Sequence, residues 1–190
     1  MPMGYGTAPY HWILDEGGAL IVADYLGRDR AELGWQHSVA ASIATSQKLE
    51  HHVEVNEFFT RLAMEANAAG GALSEWYGER TCHHAFSGKV VPDGWGVLSL
   101  PGRRPLHFLV ELDRGTEPSA RLQKKAEDYE QCLPHTSLKK LDPLVLLLVP
   151  SARRAQTARA AVSASPAPIV VGVWTRRSAG SALAALAGAR

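Results

Sequence analysis

Apolar residues fall along this 190-residue chain in two rhythms. Leu49, Val53, Phe58, Leu62 and Ala66 recur near helical spacing, with no Gly or Pro between Thr45 and Ala69. That predicts one long helix, stopped by Gly70-Gly71. Short apolar runs follow. Leu73 to Tyr77 predicts a strand, and Trp95 to Leu100 predicts another behind the Pro92-Asp93-Gly94 turn. Leu106 to Leu112 is almost wholly apolar, as a strand buried on both faces is. Leu144 to Val149, bounded by Pro143 and Pro150, and Ile169 to Trp174 predict two more strands. Leu122, Ala126, Tyr129 and Leu133 share one face of a helix, with Thr116 as its expected N-cap and Pro118 in its first turn. Ser151 to Val162 reads as a further helix. The order is helix, three strands, helix, strand, helix, strand, which defines an α/β fold with at least one crossover helix.

The two ends carry weaker signals. Tyr10 to Leu14 and Ala19 to Ala23 are apolar segments around Asp15-Glu16-Gly17-Gly18, which reads as a hairpin turn or as a strand running into a helix. Residues 27–44 are mixed and polar, a linker and a helix start. From Ser178 the chain is Ala/Gly-rich, with Leu183 and Leu186 its only large apolar residues, a weak helix or a frayed end. The expected organisation is an N-terminal extension over 1–44, an α/β domain over 45–175 and a basic tail over 176–190.

Composition narrows the class. Hydrophobic residues make up 46% and charged residues 21%, the balance of a packed globular protein. The longest apolar run, Leu144 to Val149, falls far short of the roughly 20 residues of a membrane-spanning helix. No secretory signal is visible, and two cysteines, Cys82 and Cys132, make no disulfide scaffold, so a reducing cytoplasm is expected. The net charge of +1 hides an asymmetry: residues 1–142 hold 14 Lys and Arg against 19 Asp and Glu, whereas residues 143–190 hold six Arg and no acid. That block, with Arg153, Arg154, Arg176 and Arg177, suits the phosphates of a nucleic acid; scattered charges on a solvated face are the competing reading.

The chemistry-bearing residues are acids where the apolar pattern has no place for them. Asp93 lies in a turn between strand residues, and Glu111 and Asp113 end the most apolar strand. Carboxylates at i and i+2 of a strand face the same way, and burying both is costly without a positive partner. A divalent cation, Mg²⁺ or Mn²⁺, is the simplest such partner. Lys125 and Tyr129, four apart on the following helix, share a face that brings the ammonium toward these carboxylates if the helix packs back over the strand end. Otherwise Lys125 is a solvated surface residue and Tyr129 a core one.

Pro92-Asp93, the run from Phe108 to Glu117 that contains Glu111-Leu112-Asp113, and Leu122 to Tyr129 with Lys125 resemble the replication-relaxation family of plasmids and mobile elements, within the PD-(D/E)XK nuclease superfamily. The resemblance covers roughly residues 8–150 and is most specific over 91–129. It implies a restriction-endonuclease-like core, an αβββαβ order around a mixed sheet, and a DNA-acting protein of plasmid replication or transfer. It further implies Asp93 and Glu111 as ligands of Mg²⁺ (or Mn²⁺), Asp113 as a further ligand, Lys125 as the catalytic lysine, and Glu79 as another ligand unless it pairs with Arg80 or Arg104 on the surface. The nuclease pattern has lysine two residues after the glutamate; Asp113 stands there, and Lys125 on the next helix fills the role. A site that binds DNA without cutting it, in a replication-control or assembly protein, is the alternative. Tyr10 to Gly18 resembles the end of a winged-helix module, its wing strand and following turn. Expected partners are DNA, a second copy of the chain, or other plasmid replication and transfer proteins.

The remaining candidates are weaker. Cys82-His83-His84 with Cys132 and His135 match no zinc-ligand spacing, and no phosphate-binding Gly-rich loop is present. Trp12, Trp35, Trp76, Trp95 and Trp174 are dispersed and read as core residues.

Overall fold

A computed structural model describes residues 12–44, 46, 48–175 and 178–188. The chain divides into two compact units, Met1–His52 and Val53–Arg190.

In the first unit, Asp15 caps a helix, α1 (Glu16–Tyr25), its carboxylate accepting from the Gly18 amide at 2.8 Å. The acid-Gly-Gly segment is therefore a helix start, because one Asp side chain satisfies an amide that a helix N-terminus would leave open. Among the described residues no strand precedes it: residues 12–15 have no regular secondary structure. Tyr10 and His11, the rest of the expected wing strand, lie outside the described residues. A 3-10 turn (Arg30–Leu33) and helix α2 (His37–Ala44) follow where a linker and a helix start were expected. The Arg30 guanidinium pairs with Glu16, and Trp35 Nε1 donates to the Leu14 carbonyl at 3.0 Å. Trp12 is 93% exposed, against its expected core role, and Ile21 and Tyr25 are exposed as well. A segment this short buries little more than Ala19 and Ala23.

The second unit is built on a mixed five-stranded sheet in the order β1 (Ala72–Gly78), β2 (Gly94–Ser99), β3 (Leu106–Leu112), β4 (Leu144–Val149), β5 (Ile169–Val173). The first three strands pair antiparallel; β3/β4 and β4/β5 pair parallel. Parallel neighbours need crossovers, supplied by α5 (Ser119–Cys132) between β3 and β4 and by α6 (Ala152–Val162) between β4 and β5. The long helix α3 (Leu49–Ala68) precedes β1, and a short helix, α4 (Glu79–Ala85), follows it. Its seven polar-rich residues carry no periodic signal, so the sequence pattern left it unseen. The tail is helix α7 (Gly180–Gly188).

Alternation along the strands sorts the core. Phe108, Val110 and Leu112 of β3 and Leu144, Leu146 and Leu148 of β4 face Val55, Phe58, Leu62 and Ala66 of α3. Ala182 and Leu186 of α7 join the same cluster, so the segment read as a weak helix or a frayed end is a helix that closes this face. The Glu65 carboxylate fixes the start of α7 by accepting from the Ala179 amide at 2.8 Å. Leu109 and Val145 face α4 and α5, while Leu147, Val149 and Val171 face α5 and α6. The sheet is thus covered by helices on both faces. Two glycines let strands and aromatic rings approach closely: a Cβ at Gly94 would lie 2.5 Å from the Trp76 ring, and one at Gly96 would lie 2.5 Å from Phe108.

The start of α5 differs from expectation. Pro118, not Thr116, is the N-cap residue, and no side chain caps this end. Its amide lacks a hydrogen, so the helix begins where one open donor is already absent. Among the described residues no helix is long and apolar enough to cross a membrane.

Candidate functional site

Asp93 sits at the turn into β2 and grips the end of β3 twice. Its amide donates to the Val110 carbonyl at 2.9 Å, and its Oδ2 accepts from the Leu112 amide at 2.8 Å. The carboxylate is thereby set beside Glu111, whose side chain shares the face of Leu109.

Glu111 is 6% exposed, and two residues of α5 meet its carboxylate. Tyr129 Oη donates to Oε1 at 2.5 Å, and Lys125 Nζ lies 2.7 Å from Oε2. Burial pushes the Glu111 pKa up; the Lys125 charge opposes this, while Asp93 adds to it. For Lys125, burial works against the ammonium, but Glu111 and Glu117 outweigh it and hold its pKa above the ordinary value. The Tyr129 phenol is raised well above its usual range by burial and by Glu111. Behind them lies Cys82, fully buried in α4, its thiol pushed up to about 12 by burial and then by Asp93 and Glu111. Segments around 93, 111 and 125 thus converge on one polar cluster against the sheet.

Asp113 belongs to a different arrangement. Its side chain is wholly buried; Oδ1 accepts from the Gly115 amide at 2.8 Å, and Oδ2 accepts from Arg154 Nε at 2.6 Å. Arg154 also donates through Nη2 to the Glu117 carbonyl at 2.5 Å, tying the loop after β3 to the first turn of α6. One residue expected among the DNA contacts therefore serves as an internal clamp, while Arg153 beside it is exposed. Arg176 and Arg177 lie outside the described residues. Glu79 opens α4, one turn before Cys82.

Two features escaped the sequence reading. Glu117 accepts from Lys125 Nζ at 3.1 Å, so the ammonium lies between two carboxylates. The four-residue spacing of Glu117, Arg121 and Lys125 was a usable signal for this. The Arg154–Asp113 pair left no local signal, since 41 residues separate its members.

The donor set permits one kind of metal site. Mg²⁺ is commonly held by one or two carboxylates and keeps several waters. Asp93 and Glu111, hard oxygen donors with one nearly buried, fit that reduced set. Among the described residues no group of three or more His, Cys, Asp or Glu side chains is placed to hold a metal ion. Asp113 and Glu79 therefore do not complete a cage with them, and the Cys82/His83/His84 set forms none.

Fold and site define an α/β protein with an acid–lysine cluster at the end of a central strand. The chain belongs to the replication-relaxation family, whose sequence model matches residues 2–142. No curated protein and no solved structure matches it.

Proposed function

We propose that this chain acts on DNA in plasmid or mobile-element replication or transfer, through a nuclease-type site at Asp93, Glu111 and Lys125. The observation that carries the reading is the Lys125 ammonium seated 2.7 Å from the buried Glu111 carboxylate, with Asp93 close enough to bias that carboxylate's charge. The order α3-β1-β2-β3-α5-β4 supports a restriction-endonuclease-like core, and the family membership supports DNA as the partner.

Asp93 and Glu111 would hold Mg²⁺ or Mn²⁺. Bound there, the ion supplies Lewis-acid polarisation of a phosphate oxygen and a more acidic water. The chain's own residues do the rest. Tyr129 fixes the Glu111 side chain by its hydrogen bond. Lys125 offsets negative charge growing on a phosphate or orients the attacking water. Arg121, one turn before Lys125 and 70% exposed at its side chain, and the exposed Arg153 would meet flanking phosphates.

Incubating supercoiled, linear and single-stranded DNA with Mg²⁺ or Mn²⁺ tests the reading. Metal-dependent nicking or cutting that disappears in Asp93→Ala and Glu111→Ala is the expected result; no cleavage of any of these substrates overturns the catalytic form. The dispersed acids, with Asp113 neutralised by Arg154, favour a second reading, a non-cutting DNA-binding or assembly protein. It predicts salt-dependent DNA binding that survives Glu111→Ala and falls when Arg153, Arg176 and Arg177 are replaced.

A further inference from the structure

Lys125 has two anionic hosts, and they differ. Glu111 is the more buried, and both its oxygens are engaged, one by Tyr129 and one by Lys125. Glu117 stands at the loop end just before α5, its side chain 23% exposed. Only its Oε1 holds the ammonium, at 3.1 Å; Oε2 is buried, accepts no hydrogen bond among the described residues, and lies 3.7 Å from Arg121 Nε. A buried carboxylate oxygen without a donor is costly. Meanwhile the Glu117 backbone is held in place by Arg154.

A cation on Glu111 needs the oxygen that Lys125 now occupies. The lysine stem is flexible and its ammonium is a compact charge with three donors, so a small swing exchanges one carboxylate for another. We propose that Glu117 is a positioning residue that receives the Lys125 ammonium, through the Oε2 that accepts no hydrogen bond among the described residues, when Glu111 gives its charge to a divalent cation. This rests on the two-carboxylate metal site proposed above. The exchange keeps the ammonium at the rim of the site, partnered throughout, instead of releasing it to solvent or leaving two cations on one carboxylate. Charge balance supports this: Asp93, Glu111 and Glu117 together offset one ammonium and one dication, whereas Glu111 alone cannot serve both cations.

Two measurements separate this from the metal reading itself. In calorimetric titration with MgCl₂, Glu117→Gln is expected to weaken binding about tenfold, the scale of losing a group that supports a metal ligand. In a Lys125→Met background the same substitution is expected to change affinity by less than about twofold, because the residue acts through the lysine. An undiminished effect in that background means that Glu117 acts by its own charge and overturns the proposal. The second measurement needs no metal: a crystal structure of Glu111→Leu, which keeps side-chain bulk and removes the acceptor. Lys125 Nζ within hydrogen-bond distance of Glu117 Oε2 is expected; Nζ turned to solvent overturns the proposal. If wild-type protein shows no Mg²⁺ binding heat, the metal reading fails, and the receiving role of Glu117 stands or falls on the Glu111→Leu structure alone.

Discussion

Glu111 and Asp113 stand two residues apart, and they are the two buried charged side chains among the described residues, yet they live in different surroundings. Asp113 is met by the Arg154 guanidinium and a loop amide, and Arg154 reaches on to the Glu117 carbonyl. Glu111 is met by a lysine and a tyrosine from one helix, with a second carboxylate, Asp93, beside it. A planar guanidinium with several fixed donors makes a tie between elements; an ammonium on a flexible stem, shared by two carboxylates, makes a charge that can be moved. The same acidic chemistry, at the same strand end, is anchored at one position and exchangeable at the next.

The largest effect should come from breaking the anchored pair. Arg154→Ala leaves Asp113 buried without its counterion and should cost about 3–5 kcal/mol in denaturant unfolding. Pairing it with Asp113→Asn should recover much of that loss, because the uncompensated charge is then gone. A cost below ~1 kcal/mol for Arg154→Ala would show that the two acids are not held differently after all.

Next comes the tyrosine on the exchangeable side. Tyr129→Phe removes one hydrogen bond to a buried carboxylate, on the order of 1.5–3 kcal/mol. It should lower stability while leaving the Arg154 side untouched, so the two changes should add in a double mutant.

The pH dependence sharpens the contrast. The folded-state pKa of Tyr129 is raised above its unfolded value near 10, first by burial and then by Glu111. Between those values the native state keeps a proton that the unfolded chain releases. Stability therefore falls as pH rises above about 10. Urea titrations from pH 8 upward should show this decline in the wild type and a shallower one in Tyr129→Phe. Equal slopes would contradict the assignment.

The smallest effect concerns reactivity. With its thiol pushed to about 12 and its side chain fully buried, Cys82 should resist a thiol-reactive reagent at pH 8 in native protein and react fully once unfolded. Faster labelling in Tyr129→Ala, read by mass spectrometry of the labelled peptide, would show that Tyr129 seals the cluster.

Much of the architecture was written in short stretches of sequence. The apolar runs of β3 and β4, the proline brackets around β4 and the spacing of Leu122, Ala126 and Tyr129 place those elements within a residue or two, because strand and helix periodicities are local properties. Glu111 was conspicuous for the same reason, as an acid inside a buried pattern. Where local preferences compete, the reading slipped: Asp15-Glu16-Gly17-Gly18 suits a turn and a helix cap alike, and the cap prevails. Thr116 suits an N-cap, yet the helix starts behind Pro118.

What the residues alone determined is the strands and long helices of the α/β domain, the family and the unusual acids at the end of β3. Only tertiary structure decided which cation each acid meets. Arg154 reaches Asp113 because the chain passes through α5 and β4 before α6 begins, and Lys125 lies between Glu111 and Glu117 because α5 packs back across the sheet. α7 likewise became core rather than tail once β5 and α3 offered it a face. Pairings across tens of residues depend on how layers stack, and no stretch of sequence a few residues long encodes that.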